Sequence, residues 1–135
     1  VFGHQTNVLY AARNANKFAL IDTDYIATLA FCLTYEKRDN PIVREFVNNY
    51  RFDLTILLEN NVKWVSDGLR SIGQEERRMN FQNLLKKLYA EYNIPYITVA
   101  SNNYEKRYLA CKAIIKAYLD GADNSELQKI SDSFN

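Results

Sequence analysis

Three short apolar runs along the chain predict the buried strands of a parallel sheet. They span residues 18–21, 52–58 and 96–100. Runs of this length without polar alternation are typical of strands that are covered on both faces. Helical patterns occupy much of the remaining chain, at residues 7–16, 24–33, 42–50, 79–92 and 104–119. This alternation predicts an α/β fold in which helices flank a mainly parallel sheet.

The end of the chain is more polar than the rest. We expect residues 1–120 to form the domain and residues 121–135 to form a polar tail. Leu127, Ile130 and Phe134 are the apolar exceptions after Gly121. Their spacing predicts a short frayed helix.

Composition is typical of one globular domain or a piece of one. The chain has 135 residues, of which 47% are hydrophobic and 24% are charged. A net charge of +1 gives no bulk electrostatic case for contact with nucleic acid or an anionic membrane. Cys32 and Cys111 share no metal-ligand spacing, which predicts buried free thiols in a reducing compartment, the cytoplasm. The chain opens on Val1 rather than Met, so we expect a portion of a longer protein.

The first apolar run ends on two acids, Asp22 and Asp24, with Thr23 between them. In open α/β sheets, ligands bind beyond the carboxyl ends of the strands. Carboxylates at that position can orient a hydroxyl nucleophile, act as a base or hold Mg²⁺. The alternative is that one of the acids caps the next helix, since Asp is a favoured N-cap residue. The triplet alone leaves both interpretations open.

A polar segment between the second and third apolar runs carries candidate phosphate ligands. It contains Trp64, Asp67, Arg70, Arg77 and Arg78. Arginine grips phosphates with two parallel hydrogen bonds, and many small kinases close an arginine-bearing flap over the transferring phosphoryl group. For Arg77 and Arg78 the alternative is the solvated start of a helix, with acids in its first turn. For Arg70 we favour a functional role.

Several common catalytic motifs are absent from the sequence. With only four glycines, the chain has neither a phosphate-binding G-x-x-x-x-G-K-S/T loop nor a dinucleotide-binding G-x-G-x-x-G. The single histidine, His4, has no partners for a catalytic triad. Nucleophilic Ser or Cys chemistry is therefore unsupported.

Six blocks of sequence together resemble one family. They are G-H-Q at 3–5, F-A-L-I-D-T-D at 18–24, A-F-C at 30–32 followed by Tyr35, F-D-L-T-I-L-L at 52–58, W-V-S-D-G-L-R at 64–70 and F-Q-N-L-L at 81–85. The set is similar to the C-terminal nicotinamide riboside kinase domain of NadR-type proteins of bacterial NAD biosynthesis, from Gly3 to about Leu119. The resemblance implies a P-loop NTPase-like three-layer fold and a kinase that uses ATP and Mg²⁺. It also implies a parent protein with a nicotinamide mononucleotide adenylyltransferase domain and, in some members, a DNA-binding repressor segment.

The resemblance further implies roles for individual residues. Asp22 and Asp24 would orient or deprotonate the ribose hydroxyl, and Asp22 would share in holding Mg²⁺. The riboside would contact Gln5, Tyr10, Thr23 and Tyr35. The lid and ATP side would include Trp64, Asp67, Arg70, Arg77, Asn103 and Tyr104, with Arg70 catalytic. Tyr10 is a candidate to stack on the cationic nicotinamide ring, and its alternative is ordinary helix packing. The alternative for Tyr104 is a hydrophobic staple.

The family pattern departs from this sequence at its start. The P-loop, its lysine and the first strand would lie upstream of Val1. We therefore expect the chain alone to have little or no kinase activity and to self-associate through the surface left uncovered. The alternative function is a non-catalytic α/β module that senses a nucleotide within an NAD-responsive regulator.

Overall fold

The computed structural model describes residues 2–14, 18–62 and 75–135. The chain divides into two compact units, Val1–Asp53 and Leu54–Asn135. No helix within the described ranges is long and apolar enough to cross a bilayer.

The first unit is helical. It contains α1 (Phe2–Asn14), α2 (Tyr25–Phe31), a π-helical stretch that continues α2 (Cys32–Glu36) and α3 (Pro41–Asn49). Helix α3 begins where the Asn40 side chain accepts the backbone N–H of Ile42 at 3.1 Å, and Pro41 occupies the first helical position. The π-helical stretch ends at Lys37, whose backbone is left-handed with φ of 48°.

An aromatic cluster surrounds the buried Tyr25 ring in this unit. The Tyr25 ring lies 5.4 Å from that of Phe52, 5.8 Å from that of Phe46 and 6.2 Å from that of Tyr50, measured between centroids. Tyr25 is 2% exposed, and its hydroxyl lies 2.8 Å from the Thr6 hydroxyl of α1. Because large rings bury much apolar area at preferred tilted or offset angles, this cluster fixes how the start of α2 packs.

The second unit contains the sheet. Its elements are β1 (Ile56–Leu58), α4 (Glu75–Glu91), β2 (Ile97–Val99), α5 (Tyr104–Leu119) and α6 (Asn124–Asp132). The strands are parallel, with Ile56 opposite Ile97 and Leu58 opposite Val99. Helices α5 and α6 pack on β2 around one apolar cluster, which comprises Ile97, Val99, Ala110, Ile114 and Leu127. The predicted α/β class with a parallel sheet is confirmed, and the second and third apolar runs form its strands.

The first apolar run is not the buried strand that its composition predicts. Residues 18–20 form neither a helix nor a strand, and Phe18 is 61% exposed and Leu20 is 73% exposed. A strand is stable only when another strand satisfies its backbone N–H and C=O groups. In the described part of the chain the only ladder joins β1 to β2. An apolar run therefore specifies burial in a sheet only when a neighbouring strand is in place.

Helix α6 is better ordered than the predicted frayed helix. Asp123 and Glu126 form a capping box at its start, with bonds of 2.9 and 3.1 Å. Helix α5 ends at Leu119, and Gly121 follows with a φ of 95°, which suits glycine and lets the chain turn into α6. Leu127 is fully buried in the apolar cluster. Capping and one buried anchor thus stabilise a helix whose sequence is mostly polar.

Helix α6 also pairs with the outer edge of β2. The Gln128 side chain accepts the Thr98 N–H at 2.9 Å and donates to the Thr98 carbonyl at 3.1 Å, and the Ser131 hydroxyl donates to that carbonyl at 2.7 Å. The amide thus makes the two bonds that a neighbouring strand would make, and it covers an edge that would otherwise be open to another chain.

Replacing Gln128 with Ala should lower the free energy of unfolding by about 1–2 kcal/mol, because the Thr98 N–H loses its side-chain acceptor. Urea unfolding measures this change. Lys129→Ala, at the exposed next position of α6, is the matched control and should change stability by less than about 0.5 kcal/mol. Equal effects of the two substitutions would contradict the edge-pairing role.

Candidate functional site

The turn Asp22–Thr23–Asp24 contains the candidate acids, and the structure separates their surroundings. Asp24 caps α2, since its carboxylate accepts the Ala27 N–H at 2.8 Å and its carbonyl accepts the Thr28 N–H at 3.1 Å. Asp22 is exposed, and its carboxylate accepts a bond of 3.4 Å from the Thr23 hydroxyl. The capping alternative therefore applies to Asp24, while Asp22 presents its carboxylate to solvent. Catalytic roles for both acids stay predictions.

Thr23 has an unusual backbone conformation. Its φ of 72° lies in the left-handed region, which a β-branched residue rarely adopts. Such a conformation costs on the order of 1–3 kcal/mol and persists where the surroundings over-determine it. Backbone strain of this kind is concentrated at active sites and ligand-binding turns. The strain therefore favours a functional interpretation of the turn over a purely structural one.

Gln5 is buried and bonds the backbone of this turn. The residue is 2% exposed, and its side-chain amide donates to the Thr23 carbonyl. Its amide oxygen lies 3.5 Å from the Thr28 hydroxyl of α2. Three predicted site residues, Gln5, Thr23 and Asp22, are thus brought together. The predicted contact between Gln5 and a riboside stays untested, and the contacts described are all with the turn and α2.

Two exposed aromatic rings lie side by side near the end of α2. Phe31 is 41% exposed and Tyr35 is 47% exposed, and their rings stack with centroids 5.7 Å apart at 20°. Tyr35 lies in the π-helical stretch, a geometry that is frequent at functional sites because it displaces side chains from the helical register. Tyr10 on α1 is 72% exposed, so ordinary helix packing does not account for it.

The second unit has a separate polar cluster where β1 and β2 end. Its centre is Arg107 of α5, which is 7% exposed. The guanidinium donates from Nε to the Ser101 carbonyl at 2.5 Å and from Nη2 to the Glu59 carbonyl at 2.6 Å, and it also donates to the side-chain oxygen of Asn61. One side chain thus joins the carboxyl ends of both strands. Burial lowers the pKa of the Arg107 guanidinium below its usual value, while nearby Tyr104, Cys111 and Glu59 oppose that shift.

Helix α4 binds the same strand end. Lys86 pairs with the Glu59 carboxylate at 2.6 Å, and Gln82 donates to that carboxylate at 3.3 Å. Arg78 donates to the Asn60 carbonyl at 3.2 Å. Sequence reasoning missed Glu59 and Lys86, which are 27 residues apart and fall on no motif. The sequence signal for Glu59 was only that an acid follows the second apolar run, and Lys86 had no such signal.

The predicted ATP-side turn lies on the surface next to this cluster. Asn103 caps α5 by accepting the Lys106 N–H at 3.0 Å. Tyr104 is 69% exposed, which does not fit the hydrophobic-staple alternative. Arg77 is exposed at the start of α4. Trp64, Asp67 and Arg70 lie outside the described residues, so their lid roles stay predictions.

Metal-binding and thiol chemistry have little support in the described chain. No group of three or more His, Cys, Asp or Glu residues within it is arranged to hold a metal ion. Cys32 and Cys111 are free thiols, as predicted, but only partly buried. Burial is the main cause that raises the pKa of each thiol above its usual value. Neither cysteine is therefore activated as a nucleophile.

Comparisons with known proteins agree with the architecture. The chain is 46% identical over 114 residues to the trifunctional NAD biosynthesis/regulator protein NadR of Escherichia coli (strain K12), and 47% identical over the same length to NadR of Salmonella typhimurium (strain LT2). Each alignment covers 84% of this chain and 28% of the relative. The predicted resemblance to NadR-type proteins and the P-loop type of α/β fold are thereby confirmed. A model of the AAA domain matches residues 2–107, and the chain therefore belongs to the AAA domain family.

Proposed function

We propose that the chain contributes the nucleoside-binding side of an ATP-dependent kinase, which phosphorylates nicotinamide riboside to nicotinamide mononucleotide. The observation that carries this proposal is the strained turn that presents Asp22 to solvent while Asp24 caps α2. The names of the similar proteins place them in NAD biosynthesis and regulation, which supports the substrate class. The parent protein would be bifunctional with an adenylyltransferase, and would include a regulator segment.

Asp22 would activate the hydroxyl of the riboside. An exposed carboxylate can accept the hydroxyl proton and hold the oxygen in line with the transferring phosphoryl group. Because the transition state of phosphoryl transfer is loose, orientation of the nucleophile matters more than strong basicity. The Asp22 carboxylate accepts a bond of 3.4 Å from the Thr23 hydroxyl, and an ionised carboxylate has several acceptor sites, which leaves acceptor capacity for this role.

ATP and Mg²⁺ are the cofactors that this function implies. Mg²⁺ binds through one or two carboxylates together with substrate phosphates and water, so an exposed acid such as Asp22 fits its chemistry without a cluster of protein ligands. When bound, the metal neutralises charge on the transferring phosphates. The residues of this chain would orient the hydroxyl and the two substrates.

The aromatic pair Phe31 and Tyr35 would bind the nicotinamide ring. The ring of the oxidised riboside is a pyridinium cation, and cations are attracted to the face of an exposed aromatic ring. Phe31 stacks on Tyr35 and thereby limits the rotamers of Tyr35, so that less conformational entropy is lost on binding. Tyr10 is a second exposed tyrosine that can serve the same ring.

The turn Ser101–Tyr104 would contact the adenine of ATP. Arg107 holds this turn through the Ser101 carbonyl, and Asn103 fixes the start of α5. Exposed Tyr104 then offers an aromatic face for a base. A turn held by hydrogen bonds beside an exposed aromatic ring is suited to stacking with a nucleotide base.

The alternative function is a non-catalytic nucleotide-sensing module. Its support is that the similar proteins are named as regulators as well as biosynthetic proteins. The reading frame upstream of Val1 separates the two functions. A hydrophobic strand followed by G-x-x-x-x-G-K-S/T there supports the kinase, and a complete gene without such a motif would refute it.

Asp22→Asn in the full-length gene product should lower kcat by about 10²–10⁴-fold while riboside still binds, because the amide cannot accept the proton. Steady-state kinetics with a riboside-binding measurement checks this. Asp53→Asn, at another exposed acid, is the matched control and should leave kcat unchanged. An Asp22→Asn enzyme with wild-type kcat would refute the role.

Tyr35→Ala should raise KM for nicotinamide riboside by about 2–30-fold, since the cation–aromatic contact contributes about 0.5–2 kcal/mol. Tyr35→Phe keeps the ring face and should retain wild-type KM. The uncharged dihydronicotinamide riboside should be less sensitive to Tyr35→Ala. Tyr108→Ala, at a similarly exposed tyrosine on α5, is the control. Equal sensitivity of the charged and uncharged ribosides would contradict a cation contact.

Arg107→Lys should raise KM for ATP more than KM for the riboside, because an ammonium cannot make the three bonds of the guanidinium fork. The free energy of unfolding should also fall by about 1.5–3 kcal/mol. Kinetics and urea unfolding on the same preparations measure both effects. Lys106→Ala, at the exposed preceding position, is the control. Parallel rises in both KM values would argue against a specific ATP-side role.

A further inference from the structure

We propose that Gln5 is a positioning residue, whose amide holds Thr23 in the left-handed conformation and thereby orients Asp22. This inference rests on the proposed function, because it concerns how the turn presents the carboxylate that activates the ribose hydroxyl. It assigns Gln5 a different task from direct contact with substrate.

Burial and bonding of Gln5 carry the first step. The residue is 2% exposed, and one turn farther along α1 the same face buries Leu9, which is 6% exposed. A primary amide in such a place destabilises the fold unless its polar atoms are satisfied, and an apolar residue would serve packing better. The amide nitrogen donates to the Thr23 carbonyl, and the amide oxygen lies 3.5 Å from the Thr28 hydroxyl. The bond to the turn therefore explains why this buried position is polar.

The second step concerns which end of the turn can move. Asp24 is fixed, because its carboxylate caps α2 and its carbonyl accepts the Thr28 hydroxyl at 3.1 Å. Thr23 has a φ of 72°, a conformation that its β-branched side chain disfavours. The bond from Gln5 holds the Thr23 carbonyl and thereby ψ of Thr23; without it, the φ/ψ pair of Thr23 would relax out of the left-handed region. Because Asp24 cannot follow, the relaxation would rotate the peptide that leads back to Asp22 and displace its carboxylate.

The test uses Gln5→Ala in the full-length gene product, with Asn7→Ala as the matched control at an exposed position of the same helix. Gln5→Ala should lower kcat by about 10–100-fold, the loss expected when a reacting group is displaced by about 1 Å. KM for riboside and for ATP should change by less than about twofold. A rise in riboside KM with unchanged kcat would overturn the proposal in favour of direct substrate contact.

A second substitution at Thr23 separates orientation from general stability. Glycine adopts positive φ without strain and asparagine tolerates it, whereas valine disfavours it as threonine does. Gln5→Ala should therefore cost little further kcat in a Thr23→Gly or Thr23→Asn background, and its full cost should persist in a Thr23→Val background. Equal losses of kcat in the Gly and Val backgrounds would overturn the proposal, because they would show that Gln5 acts independently of the Thr23 conformation.

Melting temperatures of the same variants distinguish failure of this inference from failure of the proposed function. If the wild-type protein phosphorylates no riboside, the proposed function fails, and kinetics no longer bear on Gln5. The holding role still predicts that Gln5→Ala lowers the melting temperature less in the Thr23→Gly background than in the Thr23→Val background. Equal decreases would overturn it.

Discussion

One hydrogen bond is the constraint on which the candidate acid site depends. It joins a buried side-chain amide to the backbone carbonyl of a residue in a strained left-handed conformation. Gln5 supplies the donor and Thr23 the acceptor. Because Asp24 is occupied as the cap of α2, the conformation of Thr23 determines where Asp22 presents its carboxylate. A helix cap, a left-handed residue and an exposed acid thus act as one local unit. The role proposed for Asp22 would require the other two residues to remain in place.

In the second unit, charged side chains rather than a strained residue hold the polar cluster at the ends of β1 and β2. Parallel strands leave carbonyl groups at their carboxyl ends, and two of these, from Glu59 and Ser101, accept bonds from Arg107. The carboxylate of Glu59 is directed to Lys86 of α4 instead. Arg107 thus bonds the two carbonyl groups and Lys86 bonds the carboxylate. Because its donors are satisfied, the Arg107 guanidinium can be buried. The turn that begins at Ser101 is held as a consequence.

Predictions from sequence succeeded where the signal was local. The spacing of apolar residues placed α5 at the residues where the structure has it, and located α3 and α4 to within a few positions. They failed where a partner was needed. Residues 18–21 have the composition of a strand, but no ladder forms there in the described chain. The mostly polar sequence of α6 concealed a helix that a capping box and buried Leu127 stabilise.

For the candidate site, the sequence by itself determined which kinds of side chain are available. These are two acids after an apolar run, Tyr35 farther along the chain and a polar turn at Asn103. It also determined the family, since the motifs are distributed along most of the chain. Only the tertiary structure decided which acid caps a helix and that Gln5 supports the turn. The reason is physical. A capping bond depends on the backbone dihedral angles of neighbouring residues. The bond from Gln5 joins residues 18 positions apart, and no local sequence pattern predicts such a contact.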